Sequence, residues 1–281
     1  MRVLIVTAVP AERDAVVRGI AATAPEVAEL PVPGGVIHRL SPVPPTGRPL
    51  TVDVLAAGVG PAAAAAGTAA ALTAAAVART PYDLAVSAGI GGGFTAMPPA
   101  TAAPATTPPT TAAPTSPAPT TPRRGSAAAR LGSVVVADAI VAADLGAETP
   151  DGFAAVTDLG FGTVEHLPPA PLVAAVAEAT DAVRGTVLTV STVTGSAERA
   201  AALLRRHPHA VAEAMEGFGV AEAAAAQAVP ALEVRTVSNA VGPRDRAAWR
   251  IGEAMAALTS AFATIAPLLG TWTFDPEGTR Q

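Results

Sequence analysis

AVAEAMEGFGVAEAAAAQAVPALEVRTVSNAVGPRD, running from Ala210 to Asp245, is the stretch whose reading decides the fold. An apolar lead-in ends at Ala214-Met215-Glu216, an alanine-rich segment of helical composition follows, and after Val229-Pro230 a strand-like run, Ala231 to Val237, delivers Ser238-Asn239. Two strand ends joined by a helix therefore meet at one edge of a sheet, where open α/β sheets hold their ligands. Glu216 is expected at the mouth of that helix, and Arg235, Ser238 and Asn239 at the end of the next strand. Read locally, Glu216 is only a carboxylate favoured by a helix N-terminus and Asn239 only a turn residue. The N-terminus changes that balance.

Val3 to Ala8 is short, continuous and β-branched, the pattern of a buried parallel strand. Pro10 starts a helix with Glu12 in its first turn, so this carboxylate either serves the helix dipole or leans over whatever binds at the strand end. Val36 to Leu40 and Leu50 to Ala56 pair as a hairpin across the proline-rich Pro42 to Pro49. Gly58-Val59-Gly60-Pro61 is a turn with proline at the helix start, where its missing N–H costs nothing. A helix from Ala62 to Arg79 leads to a strand, Asp83 to Ser87, which enters Ser87-Ala88-Gly89-Ile90-Gly91-Gly92-Gly93. That many glycines call for a tight turn or for a backbone that lets a ligand approach closely.

Residues 98–130 are almost entirely alanine, proline, threonine and serine, closing with Arg123-Arg124. Such a tract lacks the large apolar side chains that offset ordering entropy and is expected to be a disordered loop insertion. The remainder, residues 1–97 and 131–270, makes one α/β domain, with 271–281 as a C-terminal tail. Within it, Leu131 to Val141 reads as a strand broken by Asp138, and Asp144 to Thr163 as an irregular loop. Pro171 to Val183 is a helix and Thr186 to Thr194 a strand. Gly195-Ser196 caps a helix, Ala197 to Arg206, and Arg246 to Leu269 closes the chain as an amphipathic helix carrying Trp249. The alternation predicts a three-layer α/β/α fold with a mostly parallel, mixed central sheet.

Composition narrows the chemistry. The 281 residues are 50% hydrophobic and carry a net charge of -5, with no general attraction to nucleic acid or acidic membranes. There are no cysteines, and all 18 basic residues are arginines. Disulfides, thiolate nucleophiles, a Schiff-base lysine and the Walker phosphate loop are thereby excluded. The four scattered histidines show no ligand spacing, so no metal is expected. Val54 to Ala78 carries no charge, but Gly58, Gly60 and Pro61 interrupt it, which favours strand, loop and helix over a membrane span. Met1-Arg2 leads straight into a strand, without the layout of a secretion signal, so a cytoplasmic location is expected.

Gathered at the strand ends are Glu12, Ser87 with Gly89, Val193-Thr194, Met215-Glu216, Arg235 and Asn239. Two carboxylates, a guanidinium and an amide around a glycine-lined floor suit a nucleoside. An ionised Glu216 offers two acceptor oxygens to ribose hydroxyls, and the soft thioether of Met215 packs under a sugar. These passages resemble the purine nucleoside phosphorylase and hydrolase superfamily, most closely its bacterial nucleosidase branch, over nearly all of the expected domain. The resemblance implies that Glu12 activates water, that Arg235 and Ser87 help hold it, and that Ser87, Gly89, Val193, Met215 and Glu216 bind substrate without any cofactor. Phosphorylases of the superfamily hold phosphate with arginines on glycine loops, whereas Gly58-Val59-Gly60-Pro61 carries none, which favours hydrolysis. Adenine-specific members have aspartate where this chain has Asn239. A carboxamide donates toward N7 and a 6-oxo group together, so the pattern is most similar to the futalosine hydrolase subfamily, which acts on a hypoxanthine nucleoside in the futalosine route to menaquinone. That substrate's 5' aryl carboxylate wants a cation, with Arg244, Arg246, Arg130 and His166 as candidates; His207 and His209, at a helix end, are expected to be solvated. Relatives complete each pocket from a neighbouring subunit, which implies a homo-oligomer, dimer or larger. An adenine-preferring nucleosidase, a phosphorylase, a non-catalytic nucleoside-binding module, and a role for the 98–130 tract as a partner-binding linker remain as alternatives at this point.

Overall fold

Along the chain run β1 (Arg2–Thr7), α1 (Pro10–Ala21), β2 (Val27–Val32), β3 (Gly35–Val43), β4 (Leu50–Ala56), α2 (Pro61–Val77), β5 (Leu84–Gly93), β6 (Val134–Ala142), β7 (Gly146–Thr149), β8 (Gly152–Ala155), β9 (Glu165–His166), α3 (Ala170–Thr180), β10 (Val183–Thr189), α4 (Ala197–Arg206), β11 (Ala210–Ala214), α5 (Gly217–Ala225), β12 (Ala231–Ala240) and α6 (Ile251–Thr271), with a 3-10 turn at Arg246–Ala248. This computed structural model describes residues 1–22, 26–43, 49–95 and 128–272. Most of the 98–130 tract and of the 271–281 tail expected from the sequence therefore lies outside the described residues. Of the tract, Ala129 is described and is fully buried with Val135 and Val237, so the folded domain includes residues before Leu131.

Ten of the strands form one mixed sheet in the order β11-β10-β6-β12-β5-β1-β4-β3-β2, with β9 alongside β6, and β7 and β8 pair separately. Pairings are parallel through the middle, β4-β1-β5-β12 and β6-β10-β11, and antiparallel at β12-β6 and at the β4-β3-β2 edge. A short antiparallel contact between β11 and the end of β5 closes β5, β12, β6, β10 and β11 into a ring. Period-2 alternation along β1 serves both faces. Val3 and Ile5 pack with α1, α3 and α6, while Leu4 and Val6 pack with α2 and α5. Among the described residues α6 is the one helix long and apolar enough to cross a membrane, but its stripe Leu258, Phe262, Ile265 and Leu269 is buried in the first of these cores.

Several expectations are corrected. The glycine run stays within β5, because other parts of the protein crowd it: a Cβ at Gly91 would lie 2.8 Å from the Glu213 carbonyl, and one at Gly93 2.7 Å from that of Ala129. Asp138 does not break β6, which starts at Val134 after a turn, and β10 ends at Thr189 rather than Thr194. The Asp144 to Thr163 passage contains the hairpin of β7 and β8. Trp249 precedes α6 instead of lying in it. Strand β2, with Pro31 at the sheet edge where a missing donor is tolerated, was not foreseen.

Helices α2 and α5 cross closely, since a Cβ at Gly219 would stand 2.1 Å from the Pro61 carbonyl oxygen. Gly219→Ala is expected to cost about 1–3 kcal/mol by overpacking, and denaturant unfolding checks it; an unchanged midpoint would mean that the crossing relaxes freely.

Candidate active site

Strand β1 ends at Thr7, and the turn into α1 brings Glu12 back over that end with 4% of its surface exposed. Its Oε2 accepts from the Ala8 and Val9 N–H groups at 3.0 and 3.3 Å, and Oε1 accepts from the Ile90 N–H at 2.9 Å. Glu12 thus caps α1, as the local reading has it, and also ties α1 to β5.

Arg235 rises from β12 opposite Gly89 and is fully buried. Its Nε donates to Glu233 Oε1 at 2.8 Å and its Nη2 to Ser87 Oγ at 2.8 Å. Nη1 lies 3.2 Å from Glu216 Oε2 but makes no directed hydrogen bond among the described residues, so this contact is one of charge. Glu216 stands at the N-cap of α5, and its Oε1 accepts from the Gly60 N–H at 3.1 Å. Gly58 and Gly60, with φ of 104° and 94°, turn the loop so that its backbone reaches this carboxylate. Gly89 is required for a different reason. A Cβ there would stand 2.6 Å from Glu12 Oε1 and 2.7 Å from Arg235 Nη1, so only a bare backbone leaves room for both above it.

Three carboxylates, Glu12, Glu216 and Glu233, surround one guanidinium away from bulk water. Burial raises the Glu12 carboxyl above its ordinary value, outweighing the pull of Arg235 and of the Ile90 N–H. Glu233 is raised for the same dominant reason. A buried carboxylate with a raised proton affinity, next to a donor with hydrogen-bonding capacity left, suits general-base chemistry.

At the end of β12 a bulge falls between Val237 and Asn239 and carries Asn239 to Gly92. The Ser238 hydroxyl has one proton for two acceptors, Asn239 Oδ1 at 2.9 Å and the Gly91 carbonyl at 3.2 Å, and Asn239 Nδ2 donates to the Ala240 carbonyl at 3.0 Å. The Ala240 carbonyl, which only an N–H can satisfy, assigns the amide orientation, and Nδ2 keeps one N–H without a partner among the described residues. Val193 is 39% exposed on the loop before α4, which begins as expected with Ser196 accepting from the Arg199 N–H. Met215 is half-buried beside Glu216.

The structure brings Glu12, Ser87, Gly89, Glu216 and Arg235 into one cluster. Of the cation candidates, His166 is bonded to Glu222 at 2.6 Å and packs on Phe218. Arg130 and Arg246 are exposed, while the Arg244 guanidinium lies 5.2 Å from the Trp249 ring and its side chain borders Gly195. His209 is exposed as expected, but His207 is half-buried, and burial lowers its proton affinity. Sequence reasoning missed Glu233 and Glu213. The signal for Glu233 was present, an acidic residue two places before Arg235 in an apolar strand and hence on the same face. Glu213 accepts from the Thr194 N–H at 2.8 Å and also binds the Thr194 hydroxyl, which fastens the loop that carries Val193.

The sequence pattern of the phosphorylase superfamily matches residues 125–269. The chain is 61% identical over 272 residues to the futalosine hydrolase of Streptomyces coelicolor, covering 97% of this chain and 98% of that protein. It is 39% identical over 283 residues to the futalosine hydrolase of Acidothermus cellulolyticus, covering 98% and 93%. Among solved structures, the methylthioadenosine/S-adenosylhomocysteine nucleosidase of S. pneumoniae superposes with a TM-score of 0.68 at 19% identity, covering 96% of this chain and all of that one, a likeness of fold. The chain belongs to the phosphorylase superfamily and, within it, to the futalosine hydrolase family of N-glycosyl hydrolases.

Proposed function

We propose that this protein hydrolyses the N-ribosidic bond of futalosine, releasing hypoxanthine and dehypoxanthine futalosine, as a cytoplasmic step of menaquinone biosynthesis. The observation that carries hydrolysis over phosphorolysis is the charge of the buried cluster. Arg235 is the one basic residue among the buried described residues, and it is surrounded by Glu12, Glu216 and Glu233. A phosphate dianion there would meet three carboxylates and no unpaired cation, whereas neutral water is accepted and a cationic sugar is favoured.

In this reading a water molecule sits between Glu12 Oε1 and Arg235 Nη1, above Gly89. Its oxygen attacks the anomeric carbon as the carbon–nitrogen bond breaks and that electron pair passes to the purine. Glu12 takes the proton of the water, the leaving purine anion takes up a proton from solvent to give neutral hypoxanthine, and Glu12 returns its own proton to solvent. Glu216 holds the ribose hydroxyls and offsets the charge on the sugar, Met215 packs beneath it, and Val193 contacts the base. The free N–H of Asn239 bears on N7 and O6 of the leaving hypoxanthine. Incubating the purified protein with futalosine, inosine and adenosine, with and without phosphate, and identifying the released base by mass tests the proposal. A phosphate-dependent reaction would end it.

Asn239 carries the base preference in this reading because its Nδ2, held by the Ala240 carbonyl, presents a second N–H as the donor. Asn239→Asp replaces that donor with an acceptor unless the acid is protonated, and is expected to move relative kcat/KM from 6-oxo toward 6-amino nucleosides by about tenfold to a hundredfold. Competition between inosine and adenosine measures the ratio, and an unchanged ratio would place base selection elsewhere. Assembly as a homo-oligomer belongs to the same reading, supported by Phe161 and Leu167, which are 70% and 72% exposed. Sedimentation gives the state directly.

A further inference from the structure

Resting on the N-ribosidic hydrolysis proposed above, we infer that Glu233 is a positioning residue for Arg235: it holds the guanidinium by its Nε edge and cancels its charge, so that Arg235 serves the water as a hydrogen-bond donor without opposing the cationic sugar. The placement is specific. Glu233 lies two residues before Arg235 on β12, on the same face and one repeat further from the ligand edge. Its register partner is Ser87, the residue that receives the Nη2 hydrogen bond. Both Glu233 and Arg235 have no exposed surface, and their contact is a single 2.8 Å bond from Nε to Oε1. The outer nitrogens are thereby left facing Ser87, Glu216 and the space above Gly89. Glu233 Oε2 has no partner among the described residues. It lies against the first residue of α5, where a Cβ at Gly217 would stand 2.1 Å away. Backbone thus closes over the carboxylate, and no substrate atom reaches it.

The electrostatic reason follows from where charge develops. A bare guanidinium beside an oxocarbenium-like sugar raises the barrier, and the effect is large where water is excluded. A carboxylate on the side of the arginine that points away from the reacting atoms removes that penalty and leaves the N–H groups in place. The charged groups that face Glu233 are Arg235 on its own strand, Glu216 at the start of α5, and, across the guanidinium, Glu12 on α1. Loss of its charge therefore also acts on Glu12, by exposing it to more of the field of Arg235.

Glu233→Gln tests this, because the amide oxygen still accepts from Nε while the charge is gone. Expected are a fall in kcat of about tenfold or more with KM within about twofold, and an acid limb of kcat displaced to lower pH, since Glu12 loses its proton more readily beside an uncompensated guanidinium. Affinity for a protonated iminoribitol nucleoside analogue is expected to drop by a similar factor, while affinity for hypoxanthine stays. A residue with only a structural role would change the melting temperature and leave all of these untouched, and that result overturns the inference. Should Glu233→Gln fail to fold, Glu233→Asp carries the test: it keeps the charge, so the wild-type acid limb and the wild-type ratio of iminoribitol to hypoxanthine affinity are expected, and loss of both rejects the role. A wild-type protein without hydrolytic activity would instead defeat the activity proposal itself, whereas wild-type turnover with an unaltered Glu233→Gln enzyme defeats this inference alone.

Discussion

Glu12→Gln is expected to lower kcat/KM by about 10²- to 10⁴-fold, the usual worth of a positioned general base, with the loss falling on kcat. Glutamine has nearly the same shape and remains in the first turn of α1, so the pocket survives, but an amide cannot take a proton from water. The substitution also has a readable cost in stability. Both carboxylate oxygens of Glu12 accept backbone hydrogen bonds, Oε2 from Ala8 and Val9 and Oε1 from Ile90. Whichever way the amide turns, its NH2 group meets one of those donors, at about 1–3 kcal/mol. Relief of a buried negative charge works the other way, so the net change in melting temperature is expected to be small beside the change in rate. The wild-type pH profile gives an independent check. Burial raises Glu12 above the ordinary carboxylate value of 4.5, and in the proposed mechanism the base form is the active one. Activity is therefore expected to fall on the acid side starting above that value. An enzyme that keeps its turnover as Glu12→Gln has another base.

Arg235→Met is expected to destabilise the fold by about 3–5 kcal/mol, the cost of leaving buried charge uncompensated, out of a total of about 5–15 kcal/mol for a typical protein. It leaves Glu12, Glu216 and Glu233 together with no cation between them. The sign of the pH dependence separates this cause from simple loss of packing. Glu12 and Glu233 already hold their protons more tightly in the folded state than an ordinary carboxylate does at 4.5, and Arg235 is what pulls both down. Without it their folded-state affinities rise further. The folded protein then binds more protons than the unfolded chain above pH 4.5, and stability falls as pH rises through that window. The gap in melting temperature between wild type and Arg235→Met is thus expected to widen from pH 5 to pH 8. A gap that is constant, or that widens toward acid, would show that the three carboxylates are not coupled through this arginine.

Much of the architecture was legible because the determinants were local. A continuous β-branched run marks a buried strand, as at Val3 to Val6. Proline at the first position and serine at the cap mark the starts of α2 and α4. Helix α5 followed by β12 was readable from the alanine-rich segment, Val229-Pro230 and the apolar run behind it. Strand β2 was hidden because Glu29 and Pro31 mask its alternation and the edge of a sheet requires little of it. The glycines after Ser87 were read as a tight turn or a ligand's approach because the atoms that demand them come from β11, Ala129, α1 and Arg235, far away in sequence.

By itself the sequence determined the α/β order, the strand ends at which ligands gather, and the identities of Glu12, Ser87, Glu216, Arg235 and Asn239 as the residues to examine there. These follow from periodicity, capping and side-chain chemistry, which act over a few residues. Tertiary structure alone decided that one fully buried guanidinium is shared among three carboxylates, that Glu233 is one of them, that Gly89 must lack a side chain to leave room for both Glu12 and Arg235, and that the Ala240 carbonyl sets the direction of the Asn239 amide. Each depends on distances between segments separated by tens to hundreds of positions, and burial gives those contacts their strength by removing the water that would otherwise screen them.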